Sequence, residues 1–393
     1  DGYTPARLVT AAGSSRLYAI GTKTGVTNWR VFVLSAGNTP PLAADDTYAV
    51  DEDTPLSVAA VSWTELSPMP TARGSAMAGV IGDRLYVMGG NAGGTGASDV
   101  LEAYDPATGT WTARTAAPQR KYGGTASVIA GKLYVAGGWN WPLSGIPTST
   151  LQIYDAASNT WSLGADMPIL SGCSASGTVD GKLYVLTACD GWGGYKNHLH
   201  AYDPASNTWT AKAGSPHSHS NAAAGVIGGK LYVAGGWDDS GPNAYLDAYD
   251  PVTNSWSTLA SLPVAVGGSG GAVLDGKLYV MGGSDGSDVS TVYVYDPAAN
   301  VWNTDSPMNV ARSALVAGAI GEVIYTAGGT GPLATLEGLL ATGVLANDSD
   351  AHGGAPAENN LPLTAELVAG PAHAAAFALH GDGSFDYTPS QDY

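Results

Sequence analysis

The chain has 393 residues, including 54 glycines and 23 prolines, and its 16 basic and 34 acidic side chains give a net charge of −18. So much glycine and proline disfavours helical folds, while a hydrophobic content of 44%, with 11 tryptophans and 20 tyrosines, excludes a disordered chain. The acidity argues against a nucleic-acid partner, and no apolar run approaches the ~18 residues of a membrane-spanning helix. We therefore expect an extracellular or cell-surface all-β protein of several domains, without nucleic-acid binding or membrane insertion.

The first sixty residues predict two short elements ahead of a repeat. Residues 14–37 read SSRLYAIGTKTGVTNWRVFVLSAG, two apolar stretches around a glycine-containing turn, and this pattern indicates a β-hairpin. Residues 38–60 contain several prolines and a group of acidic side chains. We therefore treat 1–37 and 38–60 as separate from the repeat that follows.

A repeat fills residues 61–340. The pattern LYV followed by Gly-Gly, as in GKLYVAGG, recurs with variations six times, and a tryptophan precedes each tyrosine of this pattern by 23 residues. The tyrosines are Tyr86, Tyr134, Tyr184, Tyr232, Tyr279 and Tyr325, and the tryptophans are Trp63, Trp111, Trp161, Trp209, Trp256 and Trp302. Successive repeats lie 46 to 50 residues apart, which is the period of one small sheet per repeat.

Each repeat predicts four strands. The segment GGTASVIAG and the following LYVAGG form two strands joined by a short glycine-containing turn. Segments such as LEAYDP form a third strand, and segments such as NTWT form a fourth, with the tryptophan facing the core.

This order of apolar strand, Gly-Gly, tyrosine and tryptophan resembles the kelch repeat over residues 61–340, and the resemblance implies a six-bladed β-propeller. The sixth repeat lacks a tryptophan strand, whereas the strand with Trp63 has no repeat before it. We therefore expect the Trp63 strand to complete the sixth blade and close the ring, which would place residues 61 and 341 side by side.

The two flanks resemble halves of one domain. Residues 38–60, with DEDTPL, and residues 341–393, with GVLANDSD, together resemble a bacterial cadherin-like or immunoglobulin-like repeat of surface adhesins. The expected fold class is therefore all-β, with the six-bladed kelch-type propeller inserted in a discontinuous immunoglobulin-like or cadherin-like β-sandwich.

The hairpin in residues 1–37 would close such a domain in one of several ways. It would complete its own domain in permuted order, or a neighbouring copy by strand donation, or the chain would be a segment of a tandem array. A partial seventh blade over residues 6–35 is the competing interpretation.

Binding is expected where the blades vary in length. The variation lies between the second and third strands, b and c, and variable loops on a rigid scaffold commonly carry binding. In kelch domains, as the resemblance implies, these b–c loops share a face with the d–a loops that lead into the next blade. Aromatic, amide and charged side chains in both loop sets suit a glycan or a protein partner. The candidate residues are Arg73, Arg120, Tyr122, Trp139, Asn140, Trp141, Asp190, Trp192, His217, His219, Trp237, Asp238, Asp285 and Arg312. The competing interpretation is that the tryptophans anchor glycine-rich loops.

Calcium is the one cofactor that the flanks suggest, and no organic cofactor is expected. The candidate ligands are Asp45, Asp46, Glu52, Asp348 and Asp350. The cadherin-like resemblance implies calcium in such loops, but DSDAHGGAPAENNLPL departs from the usual DSDPDGDPL, and a solvated acidic surface is the alternative.

His217 and His219 would point to one side of a strand, yet further ligands of a copper site like that of galactose oxidase are not evident.

The two cysteines, Cys173 and Cys189, flank a hairpin that turns at Asp180 and Gly181. With a three-residue turn they would face each other, so we predict a disulfide, which also fits an oxidising compartment. Two buried thiols are the alternative.

These features favour an extracellular adhesion protein, or a structural protein of a surface or filament, whose propeller face binds a glycan or a protein. The alternative is an extracellular carbohydrate-active enzyme that uses the same face, similar to galactose oxidase or to a sugar isomerase such as the six-bladed sialate mutarotases. The sequence shows no catalytic Ser-His-Asp order and no nucleophile elbow, so we favour binding over catalysis.

Overall fold

The computed structural model of the protein describes residues 4–10, 16–22, 29–35, 56–58, 61–93, 96–140, 146–190, 194–341, 374–379 and 385–389. The chain forms two compact units. One spans residues 63–338, and the other combines residues 1–62 with residues 339–393. The first of these units contains the repeats.

The repeats form a six-bladed β-propeller, as the sequence predicts. Each blade is a four-stranded antiparallel sheet whose strands a, b, c and d are neighbours in that order, and the six a strands contact one another around the central channel. Blade 1 contains Met77–Ile81, Arg84–Met88, Leu101–Asp105 and Thr110–Ala113. Blade 2 contains Thr125–Ile129, Lys132–Ala136, Leu151–Asp155 and Thr160–Leu163. Blade 3 contains Ala175–Val179, Lys182–Thr187, His198–Asp203 and Thr208–Lys212. Blade 4 contains Ala223–Ile227, Lys230–Ala234, Leu246–Asp250 and Ser255–Thr258, and its b–c loop carries a small hairpin of Trp237–Asp238 and Gly241–Pro242. Blade 5 contains Gly270–Leu274, Lys277–Met281, Val292–Asp296 and Val301–Asp305.

The sixth blade takes its outer strand from the beginning of the propeller sequence. Its sheet orders Val316–Ile320, Val323–Ala327, Leu336–Ala341 and Val61–Leu66, so the segment with Trp63 is strand d, as predicted. The Trp63 indole donates its Nε1–H to the carbonyl of Ser306, beyond the end of blade 5, at 2.8 Å. The tryptophans of the other five d strands each donate in the same way to the preceding blade, at 2.7 or 2.8 Å. Ring closure therefore uses the same hydrogen bond as every other boundary between blades.

Strand b explains why the LYV segments are apolar at successive positions. In blade 1, Leu85 and Val87 pack in a core shared with Tyr325 of blade 6. The alternate residues Tyr86 and Met88 pack in a different core, together with side chains of blade 2. Because successive side chains of a strand point to opposite faces, and both faces are covered by neighbouring blades, both sets of positions must be apolar.

The turn between strands c and d links each blade to the one before it. In blade 3, Asn207 has a left-handed backbone with φ of 53°, and its Oδ1 accepts hydrogen bonds from the Tyr202 hydroxyl and the Ala165 backbone N–H, both at 2.7 Å. Asn159, Asn254 and Asn300 make the same pair of contacts in blades 2, 4 and 5. The tyrosine ring of strand c also packs on the tryptophan of strand d, with centroids 5.1 Å apart for Tyr202 and Trp209. The repeated tyrosine, asparagine and tryptophan are thus one inter-blade contact.

The second unit contains two small antiparallel sheets within its described residues. Thr4–Thr10, Arg16–Thr22 and Trp29–Ser35 form one sheet in sequence order, so the predicted hairpin carries a further strand. In the other sheet, Leu56–Val58 pairs with Phe385–Pro389, which in turn pairs with Ala374–Leu379. A strand that precedes the propeller is therefore bonded to a strand that follows it.

We expect Asn207→Gly to lower the free energy of unfolding by about 1–2 kcal/mol, because Tyr202 and Ala165 lose their acceptor while the left-handed backbone is preserved. Blade 1 has Gly109, with φ of 65°, in the corresponding turn, so the substitution suits the fold. Asn207→Ala should cost roughly 1 kcal/mol more, since alanine disfavours that conformation. Denaturant unfolding followed by tryptophan fluorescence measures both values, and equal stability of the two variants would contradict this account.

Candidate binding site at the channel mouth

Six residues surround one mouth of the central channel, each just before a strand a begins, and we call them the mouth ring. Their backbones are all left-handed, with φ between 52° and 74°. The N–H of each donates to the carbonyl of the ring residue in the preceding blade at 2.6 to 2.9 Å, so the six bonds form a closed circle. The mouth ring consists of Ser75, Gly123, Cys173, Asn221, Gly268 and Ala314.

The b–c and d–a loops meet immediately outside this ring. Tyr122 pairs with Trp139 in blade 2, and Ser220 pairs with Trp237 in blade 4, so the start of each b–c loop lies beside the end of a d–a loop. The Gly-Gly before Trp139 also permits a close approach to the d–a loop of the next blade, because a Cβ atom on Gly137 would lie 2.1 Å from the Ser171 carbonyl oxygen. The structure therefore brings together the two loop sets in which the candidate residues occur.

The mouth opens into a cavity of about 270 Å³ to which all six blades contribute. Small side chains and glycines form most of its wall, and its polar side chains include Ser75, Thr125, Ser176 and Asn221. The Trp237 indole also contributes to the wall. None of the lining residues in the described part of the chain carries a charge. The cavity therefore offers hydrogen-bonding groups without a fixed charge.

Two candidate tryptophans, Trp139 and Trp237, each pack against the d–a loop of the next blade. The indole nitrogen of Trp139 lies 2.5 Å from the position of a Cβ on Gly172, and that of Trp237 lies 2.1 Å from the corresponding position on Gly267. Each tryptophan is half-buried, so loop anchoring accounts for part of its surface. Trp141 and Trp192 lie outside the described residues.

Two candidate arginines lie behind the mouth rather than on it. Arg73 and Arg312 are both 0% exposed. Arg73 pairs with Glu102 of strand c at 3.0 Å, and Arg312 pairs with Glu337 at 2.8 Å. Both side chains therefore lie behind the mouth surface, because each arginine lies two residues before a ring residue and points into its own blade, and their part in binding stays a prediction.

Blade 2 places a lysine where blades 1 and 6 have these arginines. Lys121 is fully buried, and its Nζ donates to the Thr150 carbonyl at 3.0 Å and to the Thr150 hydroxyl. Burial lowers the pKa of Lys121 to about 7, partly offset by Asp166. The candidate Arg120 points outward instead, with Asp99 as its partner at 3.6 Å.

The two histidines of blade 4 share one carboxylate. Asp247 Oδ2 lies 2.9 Å from His217 Nδ1 and 3.0 Å from His219 Nε2. His219 is 0% exposed, and its Nδ1 also contacts the Gly235 carbonyl at 2.8 Å. Both ring nitrogens of His219 therefore face oxygen atoms that accept hydrogen bonds. Like the two arginines, His219 therefore lies behind the mouth surface, and its part in binding stays a prediction.

His217 is the more accessible of the pair. Its side chain is 28% exposed and its ring is stacked on Tyr245, with centroids 3.7 Å apart. Burial alone would raise the pKa of Asp247, but hydrogen bonds from His219, Thr258 and His217 outweigh it and lower that pKa. His217 therefore lies at the rim of the mouth, and its contact with Asp247 fixes the orientation of its ring.

In blades 1, 2, 4 and 6, a polar side chain of strand c bonds to the d–a loop of the same blade. The strand c members are Glu102, Gln152, Asp247 and Glu337. We did not predict these residues from the sequence. The signal was a polar side chain inside an otherwise apolar strand, two positions before the tyrosine of the YDP pattern or its equivalent.

The remaining candidates lie in the b–c loops. Asp190 pairs with Lys196 at 3.6 Å, Asp238 accepts the Ser240 N–H at 2.7 Å, and Asp285 is exposed. Asn140 is half-buried, and its Oδ1 has no hydrogen-bond partner among the described residues. The rim of the mouth therefore carries acidic and amide groups around the uncharged cavity.

The candidate calcium ligands Asp45, Asp46, Glu52, Asp348 and Asp350 lie outside the described residues. In the part of the chain that the structure describes, no three His, Cys, Asp or Glu side chains are grouped as metal ligands would be. The described residues also contain no helix with the length and apolar character needed to cross a membrane.

Both cysteines are free thiols in the structure, although we expected a disulfide. The hairpin turns through two residues, Asp180 and Gly181, with φ of 48° and 70°, and not through three. Cys189 therefore faces Gly172 and not Cys173, so the expected register is wrong by one residue. The disulfide itself stays a prediction.

The chain belongs to the kelch-repeat family. The family model described as "KLHDC2/KLHL20/DRC7 Kelch-repeats domain" matches residues 23–213 and 164–329. No curated protein matches the sequence significantly. Among solved structures, "Structure of YjhT" is similar, with a TM-score of 0.61 and 19% sequence identity over 70% of this chain and 97% of that chain. At this identity the likeness concerns the fold.

We expect the free energy of unfolding to rise between pH 7 and pH 10 in part because of Lys121. Its pKa of about 7 in the folded state lies below the ~10.4 of an unfolded chain, so the unfolded state binds more protons in this range. Lys121→Met should lose that part of the rise, whereas Arg120→Met, at the exposed neighbouring position, should keep it. Urea unfolding at pH 6, 7.5 and 9 measures the slopes, and parallel slopes for wild type and Lys121→Met would contradict the assignment.

Proposed function

We propose that this chain is an extracellular adhesion or structural protein, and that its mouth cavity holds a neutral, hydroxyl-rich group such as the terminal sugar of a glycan. The uncharged lining carries this proposal. Ser75, Thr125, Ser176 and Asn221 offer hydroxyls and an amide, and Trp237 offers an apolar ring, which together match the two kinds of surface that a sugar presents.

The volume of the cavity and the acidic residues around it favour a small, neutral ligand. Its volume of about 270 Å³ suits one sugar ring or one amino-acid side chain, and not a longer segment. Asp190, Asp238 and Asp285 lie in the loops around it, within a chain of net charge −18. Acidic sugars would be repelled at this rim, so a neutral glycan is favoured.

A protein partner is the second candidate, and membership of the kelch family favours it, since kelch propellers are binding scaffolds. Such a partner would place a small polar side chain in the cavity and contact the b–c loops around it. A carbohydrate-active enzyme would use the same lining but would also turn over its ligand.

The proposal extends to the unit outside the propeller. The pairing of Leu56–Val58 with Phe385–Pro389 supports a domain that is split by the propeller, of the cadherin-like or immunoglobulin-like kind that surface adhesins contain. Its calcium sites and its association with neighbouring copies, through strand donation or a tandem array, are part of the same proposal.

We expect Ser75→Ala to weaken ligand binding by about fivefold, the value of roughly one hydrogen bond, and Ala314→Asn to weaken it further by narrowing the mouth. The mouth ring itself contains Ala314 and Asn221, so the fold already accommodates alanine and asparagine at ring positions. Val252→Ala is the control, because Val252 is 87% exposed on a c–d turn, at the opposite end of the strands.

A panel of neutral and acidic glycans, screened for binding and then for turnover, provides the measurement. Binding of a neutral glycan that both ring substitutions weaken, without turnover, supports the proposal. Turnover would identify the enzyme instead. Failure of every glycan, together with a protein ligand that the same substitutions affect, would replace the sugar with a protein partner.

The role of residues 1–37 is tested by removing them. If their strands complete a neighbouring copy, the truncated chain should lose association in sedimentation experiments while the propeller keeps its melting temperature. Unchanged association would contradict strand donation.

A further inference from the structure

The only two cysteines of the chain lie together at the mouth, in blade 3. Cys173 is a mouth-ring residue, and Cys189 lies at the start of the b–c loop beside Gly172. Their thiols contact each other through a hydrogen bond. Neither residue is fully buried. The two sulphurs thus connect the d–a loop to the b–c loop of the same blade.

Hydrogen-bond donors surround the Cys173 sulphur. Besides the Cys189 thiol, these are the indole of Trp139, the Ser220 hydroxyl and the side chain of Asn221. The indole nitrogen of Trp139 lies over Gly172, next to Cys173, as its 2.5 Å distance to a Cβ at that position shows. The Ser220 hydroxyl also lies 3.4 Å from the Cys189 sulphur. Donors from three blades therefore converge where a thiolate would accept them.

This environment makes the two thiols unequal. The hydrogen bond from Cys189 and those from Trp139, Ser220 and Asn221 lower the pKa of Cys173 to about 6, although burial opposes them. The contact with Cys173 and burial raise the pKa of Cys189. These surroundings favour the thiolate at Cys173 over the thiolate at Cys189.

We propose that Cys173 and Cys189 form a reactive dithiol that hydroperoxides oxidise reversibly to a disulfide, with Cys173 as the nucleophile and Cys189 as the resolving thiol. The Cys173 thiolate attacks the terminal oxygen of the hydroperoxide, the O–O bond breaks, and the leaving alkoxide takes a proton from water. Cys189 then attacks the sulphur of the Cys173 sulfenic acid, the S–S bond forms, and hydroxide leaves and takes the Cys189 proton as water.

The oxidation is balanced and would be local. Two thiols lose two electrons, and the hydroperoxide is reduced to an alcohol and water. The new bond would covalently join the d–a and b–c loops of blade 3 beside the cavity. This chemistry does not depend on the proposed ligand, since it requires only the two thiols and the donors around them.

The chain provides matched substitutions for both cysteines. Ser75 takes the ring position of Cys173 in blade 1, and Ser284 takes the position of Cys189 in blade 5. Cys173→Ser and Cys189→Ser are therefore compatible with the fold, and melting temperatures check this directly. Trp139→Phe keeps an aromatic ring over Gly172 but removes the indole donor.

The experiment reduces the full-length protein, removes the reductant and adds hydrogen peroxide. We expect the wild type to lose both thiols and 2 Da, and to regain them with dithiothreitol without unfolding. Cys189→Ser should accumulate a sulfenic acid that dimedone traps at Cys173, whereas Cys173→Ser should remain unmodified. Iodoacetamide should alkylate Cys173 of Cys189→Ser at pH 7 about tenfold faster than a cysteine of the unfolded chain, and Trp139→Phe should shift the pH profile upward.

Two results would overturn the proposal. One is a Cys173 that reacts with iodoacetamide no faster than the unfolded chain does. The other is a disulfide that dithiothreitol opens only after unfolding, which would make the bond a static structural link.

Discussion

The propeller depends on the closed circle of six backbone hydrogen bonds in the mouth ring. Each ring residue donates its N–H to one neighbouring blade and accepts from the other, so moving any blade outward breaks two bonds. The circle requires a left-handed backbone at every position, and four of the six residues are not glycine. That conformation costs roughly 1–2 kcal/mol at an ordinary residue, so the bonds and the packing behind them must offset it.

The connections behind the ring hold each d–a loop in this conformation. Arg73 and Arg312 sit two residues before their ring residues and are anchored by carboxylates of strand c. In blade 4, His219 and Asp247 occupy the corresponding positions. Breaking one member of a buried pair leaves an uncompensated charge, which typically costs ~3–5 kcal/mol, so the charges fix the loop geometry even where their net stabilisation is small.

The sequence predicted the blades because their contacts recur at fixed spacing. The tryptophan series alone predicted that Trp63 belongs to the sixth blade, since every strand d needs an indole that reaches the preceding blade. The site was harder to predict. Spacing places Arg73, His219 and Arg312 in the loops of the mouth face, but it does not show that they point into the blade. Their partners are distant in sequence, on strand c, and only burial distinguishes them from the outward Arg120 next to Lys121.

The ring repeats its backbone in six blades but not its side chains, and this difference makes the sectors of the mouth chemically unequal. Blades 1, 2, 5 and 6 present serine, glycine or alanine to the mouth, whereas blades 3 and 4 present Cys173 and Asn221. The same two blades hold Cys189, Trp237 and the partly exposed His217. A backbone circle tolerates such substitutions because its bonds involve no side chain. The mouth can therefore become chemically asymmetric on one side while the ring that supports it stays unchanged.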